Sequence, residues 1–231
     1  MLLMDLLYPR RCVLCDRVLP TGAEGVCADC AGKLRVIREP WCLKCGKPLR
    51  DEREEYCADC RQRTHAFLQG RALYEYKSVS RSMLRFKAGG RYEYGHFYGR
   101  RLAEELGDTI RSWKPECIVA VPVHRSRLRT RGYNQAEVIA RSLGRELGIP
   151  VDTRLIRRSK KTVPLKNLTL AERQNNLKKA FKLCRNDVKL KTIIVIDDIY
   201  TTGSTMDAVA QVLKNAGIER VYCVCAAIGK G

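Results

Sequence analysis

The 231-residue chain has no apolar run approaching the roughly 18–20 residues needed to cross a bilayer. It also lacks an export signal: Met1 to Tyr8 is apolar but short, has no basic start and runs into a cysteine pair. These absences predict a cytoplasmic protein with no membrane insertion. Acidic residues are scarce, 25 against 44 Lys and Arg, giving a formal charge of +19. The imbalance is uneven. Residues 1–70 hold 12 basic and 10 acidic residues, whereas 71–231 hold 32 and 15. A length of 231 residues suits one α/β domain with a small accessory module. The division expected is a module over 1–70 and a larger domain over 71–231. A basic field of this size receives phosphates, runs along a nucleic acid backbone, or serves only as a solubilising surface. It exceeds what one pyrophosphate needs, so single-stranded DNA is an expected partner.

Cysteine, in contrast, is abundant. Eight of the twelve fall in four Cys-x-x-Cys pairs, Cys12/Cys15, Cys27/Cys30, Cys42/Cys45 and Cys57/Cys60. Without an export signal, this spacing reads as tetrahedral zinc held by thiolates on tight turns. The segment repeats itself, so two structural zinc ions are expected in sequence, one on Cys12, Cys15, Cys27 and Cys30 and one on Cys42, Cys45, Cys57 and Cys60. A cross-braced pairing is the alternative. His65 is a conceivable ligand, but eight thiolates already fill both sites. Trp41, Tyr56 and Phe67 pack around the metal or stack bases. A segment of about 60 residues has little core, so metal has to supply its stability. Cys117, Cys223 and Cys225 lie in apolar runs and read as small core residues.

The chain is organised around Thr192 to Met206. Ile193 to Ile196 form a β-branched run, the mark of a buried parallel strand. Asp197 and Asp198 follow, then Thr201, Thr202, Gly203, Ser204 and Thr205, and a helical periodicity begins near Gly203. Strand, small-residue loop and helix make an anion site, because free N–H groups and the helix dipole converge there. The carboxylates can accept hydrogen bonds from sugar hydroxyls or hold Mg2+ through water. The stretch therefore asks for a phosphate on a sugar that shows two hydroxyls.

Other elements read more coarsely. Arg71 to Tyr76 alternates like a strand, and Ser78 to Phe86 is helical up to Gly89-Gly90. Gly95 to Leu106 is a helix with Arg and Tyr on its outer face. A strand over Glu116 to Val121 runs into a loop, Pro122 to Gln135, that carries Val123 and His124, then Arg125, Arg127, Arg129 and Arg131 at alternate positions. Guanidinium forks suit pyrophosphate oxygens. A helix over Ala136 to Leu147, a strand over Val151 to Arg157 and a last strand over Glu219 to Ile228 follow. Between Arg154 and Lys191 lie 13 basic and 2 acidic residues, with a capping box at Thr169 and Glu172.

The Asp-Asp loop resembles the signature of type I phosphoribosyltransferases, which bind 5-phosphoribosyl 1-pyrophosphate with Mg2+. The resemblance implies that Asp197 and Asp198 hold the ribose hydroxyls and that Thr201 to Thr205 wrap the 5-phosphate. It implies that Val123, His124, Arg125, Arg129 and Arg131 hold pyrophosphate, on a loop whose peptide is often cis in that family, and that the basic tract closes over the substrate. With Arg-Thr-Arg-Gly-Tyr-Asn-Gln at Arg129 to Gln135 and the zinc pairs in front, the whole order resembles the ComF/ComFC family of competence-associated proteins. The implied fold is a parallel-sheet type I phosphoribosyltransferase domain behind a double zinc ribbon. The implied role is in DNA uptake during natural transformation, beside a helicase-like partner. Two readings stay open: a phosphoribosyltransferase with an unknown nitrogen acceptor, as a monomer or homodimer, and a single-stranded DNA-binding accessory factor without transfer. A sensor of phosphoribosyl pyrophosphate is a third. After the last strand only Gly229 to Gly231 remain, so any hood over an acceptor has to come from residues 71–100 or from the zinc module.

Overall fold

A computed structural model describes residues 9–159, 180–185 and 189–229. Most of the basic tract, including Thr169 and Glu172, lies outside the described residues. Two knuckle-like halves open the chain, each with one short helix that has the first cysteine of a pair at its N-cap and the second within it: α1 (Ala28–Ala31) and α2 (Ala58–Gln62). The α/β part then runs β1 (Gln69–Glu75), α3 (Tyr76–Ala88), α4 (Tyr94–Ser112), β2 (Cys117–Ala120), α5 (Arg125–Arg131), α6 (Gln135–Leu147), β3 (Val151–Asp152), β4 (Ile156–Arg158), β5 (Phe181–Leu183), β6 (Thr192–Tyr200), α7 (Ser204–Asn215) and β7 (Arg220–Ile228).

Five strands form one parallel sheet in the order β1-β7-β6-β2-β3. β6 is central and its Ile193 to Ile196 are fully buried, as expected of a strand covered on both faces. Its carboxyl end, with that of β2, is where an open α/β sheet presents a ligand crevice. Packing of α4 on α6 is close because Gly99 leaves no side chain where Ser142 sits.

The structure departs from the periodicity in four places. β1 is buried on both faces at Gly70 to Tyr74, Arg71 included, because the ribbon covers the side that alternation would leave wet. Arg71 stacks over Trp41 there, 4.8 Å from the ring centre. In α4, Tyr94 and Tyr98 face inward, and the Tyr98 hydroxyl donates to Ser82 Oγ at 2.6 Å. The arginine loop coils into helix α5, ended by Gly132 at φ +80°. The strand expected over Val151 to Arg157 divides, with β3 joining the sheet and β4 pairing antiparallel with β5. Among the described residues the cis peptide bond is Glu39–Pro40, so Val121–Pro122 is trans.

Candidate functional site

The acid pair stands at the carboxyl end of β6. Asp198 is buried, and its carboxylate meets the Lys87 ammonium at 2.9 Å. The Asp197 carboxylate accepts from the Asp198 N–H at 2.9 Å. Burial, and then the Asp198 charge, push the Asp197 carboxyl up to about 7, against the pull of that N–H, Lys87 and Arg158.

The loop after β6 is open to solvent at Thr201 and partly so at Thr202, Ser204 and Thr205. Gly203 precedes α7 in the left-handed region at φ +78°, and no side chain caps the helix. Its first amides therefore have no capping side chain and can meet an anion. A Cβ at Gly203 would collide with the Tyr200 hydroxyl and lie 2.9 Å from His65 Cε1, so both conformation and space require glycine. Asp207 in the first turn would repel a phosphate, but it faces elsewhere. Its carboxylate bonds His65 Nδ1 at 2.8 Å and the Ala66 N–H at 2.9 Å. His65, 6 % exposed, stacks on Phe67 with centroids 4.8 Å apart.

Facing this loop across the crevice, β2 leads through Val121, Pro122 and Val123 to His124. Its Nδ1 caps α5 by accepting from the Ser126 N–H at 3.2 Å. Alternate residues on a helix point to opposite sides. Arg127 and Arg131 therefore share one face and Arg125 and Arg129 the other. Half-buried Arg131 donates to Gln135 at 2.8 Å. Burial and Arg127 lower its pKa, while Asp198 and Asp197 oppose them, so this is the face turned to the acids. Arg158, over Phe181 at 5.3 Å, feels the same Arg127 and Asp197. Arg125 lines an adjoining cleft of about 500 Å3 with His124, Arg154, Arg157 and Arg158. Arg129 is exposed.

Asp197, Asp198 and the 201–205 loop thus share the carboxyl end of β6, Arg131 on α5 after the neighbouring strand β2 lies within electrostatic reach of the acids, and Arg125 and Arg129 are on the opposite face of α5. Sequence reasoning missed Lys87, Arg158 and the His65–Asp207 contact. These are tertiary meetings, and the last joins residues 142 positions apart.

The eight paired thiols form two clusters, Cys12 with Cys15, Cys27 and Cys30, and Cys42 with Cys45, Cys57 and Cys60, each with its sulfurs within 4.8 Å of one another. The Cys15–Cys27 and Cys45–Cys57 separations are 3.8 and 3.7 Å. Four sulfurs placed tetrahedrally about 2.3 Å from zinc lie ~3.8 Å apart, so the donor sets fit that ion.

A model of the phosphoribosyl transferase domain matches residues 99–230, more than half of the chain. The chain belongs to the phosphoribosyl transferase domain family. A double zinc ribbon domain matches residues 3–61 in front of it. Competence protein F of Haemophilus influenzae is 36% identical over 109 residues, 46% of this chain and 48% of that protein. DNA utilization protein YhgH of Escherichia coli is 34% identical over 113 residues, 48% and 49% of the two chains. Competence protein ComFC of Streptococcus pneumoniae is 30% identical over 153 residues, 65% and 64%. The matched stretch thus spans about half the length of the first two relatives. A purine phosphoribosyltransferase from Pyrococcus horikoshii aligns with a TM-score of 0.34 at 19% identity, over 57% of this chain and 73% of that one. Double zinc ribbon, phosphoribosyl transferase domain and relatives named for competence or DNA utilization are the organisation that the ComF/ComFC resemblance implied. No helix among the described residues is long and apolar enough to cross a membrane.

Proposed function

We propose that the chain binds 5-phosphoribosyl 1-pyrophosphate with Mg2+ at the carboxyl end of β6 and transfers the phosphoribosyl group to a nitrogen acceptor. The observation that carries this is the uncapped amino end of α7, opened by Gly203 and standing beside two carboxylates. Thr201 to Thr205 offer hydroxyls and amides to the 5-phosphate. Asp197 and Asp198 grip the sugar hydroxyls and stabilise positive charge on the ribose as the bond to pyrophosphate weakens. Arg131, with Arg127 and Arg158 behind it, receives the departing pyrophosphate; Val123 and His124 shape that side of the crevice, and Arg125 and Arg129 serve its outer approach. Mg2+, when bound with the substrate, screens the pyrophosphate charge.

In this reading the chain divides near residue 70 into a ribbon module, 1–70, with two structural zinc ions, and a transferase domain, 71–231, working in the cytoplasm. Calorimetric titration of the zinc-loaded protein with phosphoribosyl pyrophosphate and Mg2+ tests it, with Asp197→Asn/Asp198→Asn as control. Heat from the wild type and none from the double variant is expected, and no heat from the wild type rejects the reading.

The arginine-lined cleft beside His124 and the excess of positive charge after residue 70 favour a second role, binding single-stranded DNA. The relatives' names, competence and DNA utilization, agree with a role in DNA uptake; a helicase-like partner and a homodimer are the assemblies this reading puts to the test. Affinity for an unstructured oligonucleotide then falls steeply with salt. Binding that ignores salt removes this reading and leaves the first untouched.

A further inference from the structure

Between α5 and α6 the chain turns at Gly132 and presents Tyr133, Asn134 and Gln135 to other elements. Tyr133 and Gln135 reach the same atom. The Phe86 carbonyl lies in the last turn of α3, where acceptors have no partner within the helix. The Arg85 carbonyl beside it is taken by the Gly89 N–H at 2.7 Å. The Phe86 carbonyl instead accepts from the Tyr133 hydroxyl and from Gln135 Nε2, the latter at 3.2 Å. The Tyr133 ring packs on Phe86 with centroids 5.7 Å apart, an apolar grip at the same place. Two side chains from elsewhere thus fix the peptide that joins Phe86 to Lys87. Lys87 is the residue whose ammonium meets Asp198.

Gln135 is 1 % exposed and uses both ends of its amide. Nε2 serves Phe86, and Oε1 accepts from Arg131 at 2.8 Å. These two partners call for an amide. A carboxylate could accept from Arg131 but has no proton for the Phe86 carbonyl, and an ammonium could serve the carbonyl but not Arg131. Burial makes each of these bonds costly to leave unmade. Asn134 seats the turn on the sheet. Its Nδ2 donates to the Val121 carbonyl at 3.0 Å, and the Val121 N–H donates to the Ile196 carbonyl at 2.9 Å, one residue before Asp197. An unbroken series of contacts therefore runs from Arg131 through Gln135, Phe86 and Lys87 to Asp198, tied at its middle to the acid-bearing strand.

We infer that Tyr133, Asn134 and Gln135 are positioning residues: they form a bridge that sets Lys87 against the acid pair and keeps it in fixed relation to Arg131. The two cations then lose their freedom on folding rather than on binding, and meet a charged ligand as one preformed unit. The affinity expected from this rests on the phosphoribosyl pyrophosphate reading above, whereas the placement of Lys87 does not.

The test has one arm with ligand and one without. In the first, the full, zinc-loaded chain is titrated by calorimetry with phosphoribosyl pyrophosphate and Mg2+. Gln135→Met keeps the bulk, loses both hydrogen bonds and is expected to weaken binding about tenfold or more. Lys87→Met should cost a similar factor alone but about threefold or less when added to Gln135→Met, because an unplaced lysine has little left to lose. In the second arm the empty protein is labelled briefly with acetic anhydride and its lysines are read by peptide mass spectrometry. Lys87 should react about threefold or more faster in Gln135→Met than in the wild type, while Lys191, paired with Glu219, keeps its rate. Tyr133→Phe, which loses only the hydroxyl, is the milder variant should Gln135→Met fold poorly, and it should release Lys87 in the same direction. Arg141→Ala, on the exposed side of α6, should change neither measurement. Unchanged Lys87 labelling in both bridge variants overturns the inference, as does a full multiplicative loss in the double variant. A wild type that fails to bind phosphoribosyl pyrophosphate strikes the reading beneath, and the labelling still decides the bridge.

Discussion

The two ribbons look alike in sequence and sit differently in the molecule. The first keeps a small cluster of its own, Cys12, Leu19 and Cys30. It meets the rest through buried Val13, with Leu14 and Val26 beside it, and through polar contacts: Asp16 with Arg91 Nε and Nη2 at 2.7 and 2.8 Å and with the Tyr94 hydroxyl at 2.5 Å, and Arg85 donating to the Leu14 carbonyl at 2.9 Å. The second has no separate core. Cys42 and Cys45 belong to the same apolar cluster as the central sheet, and the chain leaving it, His65 to Phe67, packs against α7. A repeated motif thus serves once as a bolted-on cover and once as part of the interior, and only the second is coupled to the site.

That contrast can be broken by loss of metal. Cys45→Ser should cost on the order of 5 kcal/mol or more, because the zinc set and the shared core fail together. At 2–4 °C per kcal/mol this is a fall in Tm of about 10 °C or more. Cys27→Ser, half-exposed in the first ribbon, should cost about half as much and leave phosphoribosyl pyrophosphate binding intact. Equal losses in thermal melts would erase the distinction. Next in size, His65→Ala removes a packed ring and leaves Asp207 short of a partner, about 2–4 kcal/mol, with a matching loss of ligand affinity seen by calorimetry. On the first ribbon the comparable change, Asp16→Ala, should cost about 1–2 kcal/mol and spare affinity. Its carboxyl is held below the usual range chiefly by the Arg91 hydrogen bonds, so this contribution is present at neutral pH and lost as pH falls through the lowered value.

The smallest effect concerns the acids. Asp197 is raised to about 7 in the fold, so the native state holds its proton more tightly than the unfolded chain and the protein loses stability as pH rises from about 4 to about 7. Asp197→Asn should therefore stabilise it at pH 8; the full shift corresponds to about 4 kcal/mol, and an amide, whose NH2 has to be fitted where a carboxyl oxygen sat, should recover roughly 1–2 kcal/mol of it. The gain should shrink as pH falls below 7 and vanish near pH 4. Melting curves across pH 4–8 check the sign, and a gain that grows in acid would refute it.

What the sequence made legible follows local rules. Four β-branched residues before two acids and a small-residue loop specify buried strand, loop and helix start together, and Gly203 marks the turn by itself. Cysteine pairs at fixed spacing declare the ribbons. The arginine run was misread as a loop because a helix of seven residues carrying four charges has no apolar stripe to announce it. Inward tyrosines in α4 were missed because tyrosine suits either surface. Lys87, Arg158 and the His65–Asp207 clamp depend on elements meeting from far apart in the chain, and no local pattern encodes that. The cover over β1 belongs with them, since strand alternation cannot foresee a ribbon folding back onto the strand.

One contact bears on what the acid pair can accept. Lys87 holds Asp198 in the resting molecule, so that carboxylate carries a tethered counterion and a dissolved cation has to compete with a high local concentration of ammonium. A guest that brings its own phosphates gives the displaced lysine a new anion to face. Under the phosphoribosyl pyrophosphate reading, the acid pair therefore discriminates against bare metal and plain sugar alike and favours a phosphorylated sugar arriving with its cation.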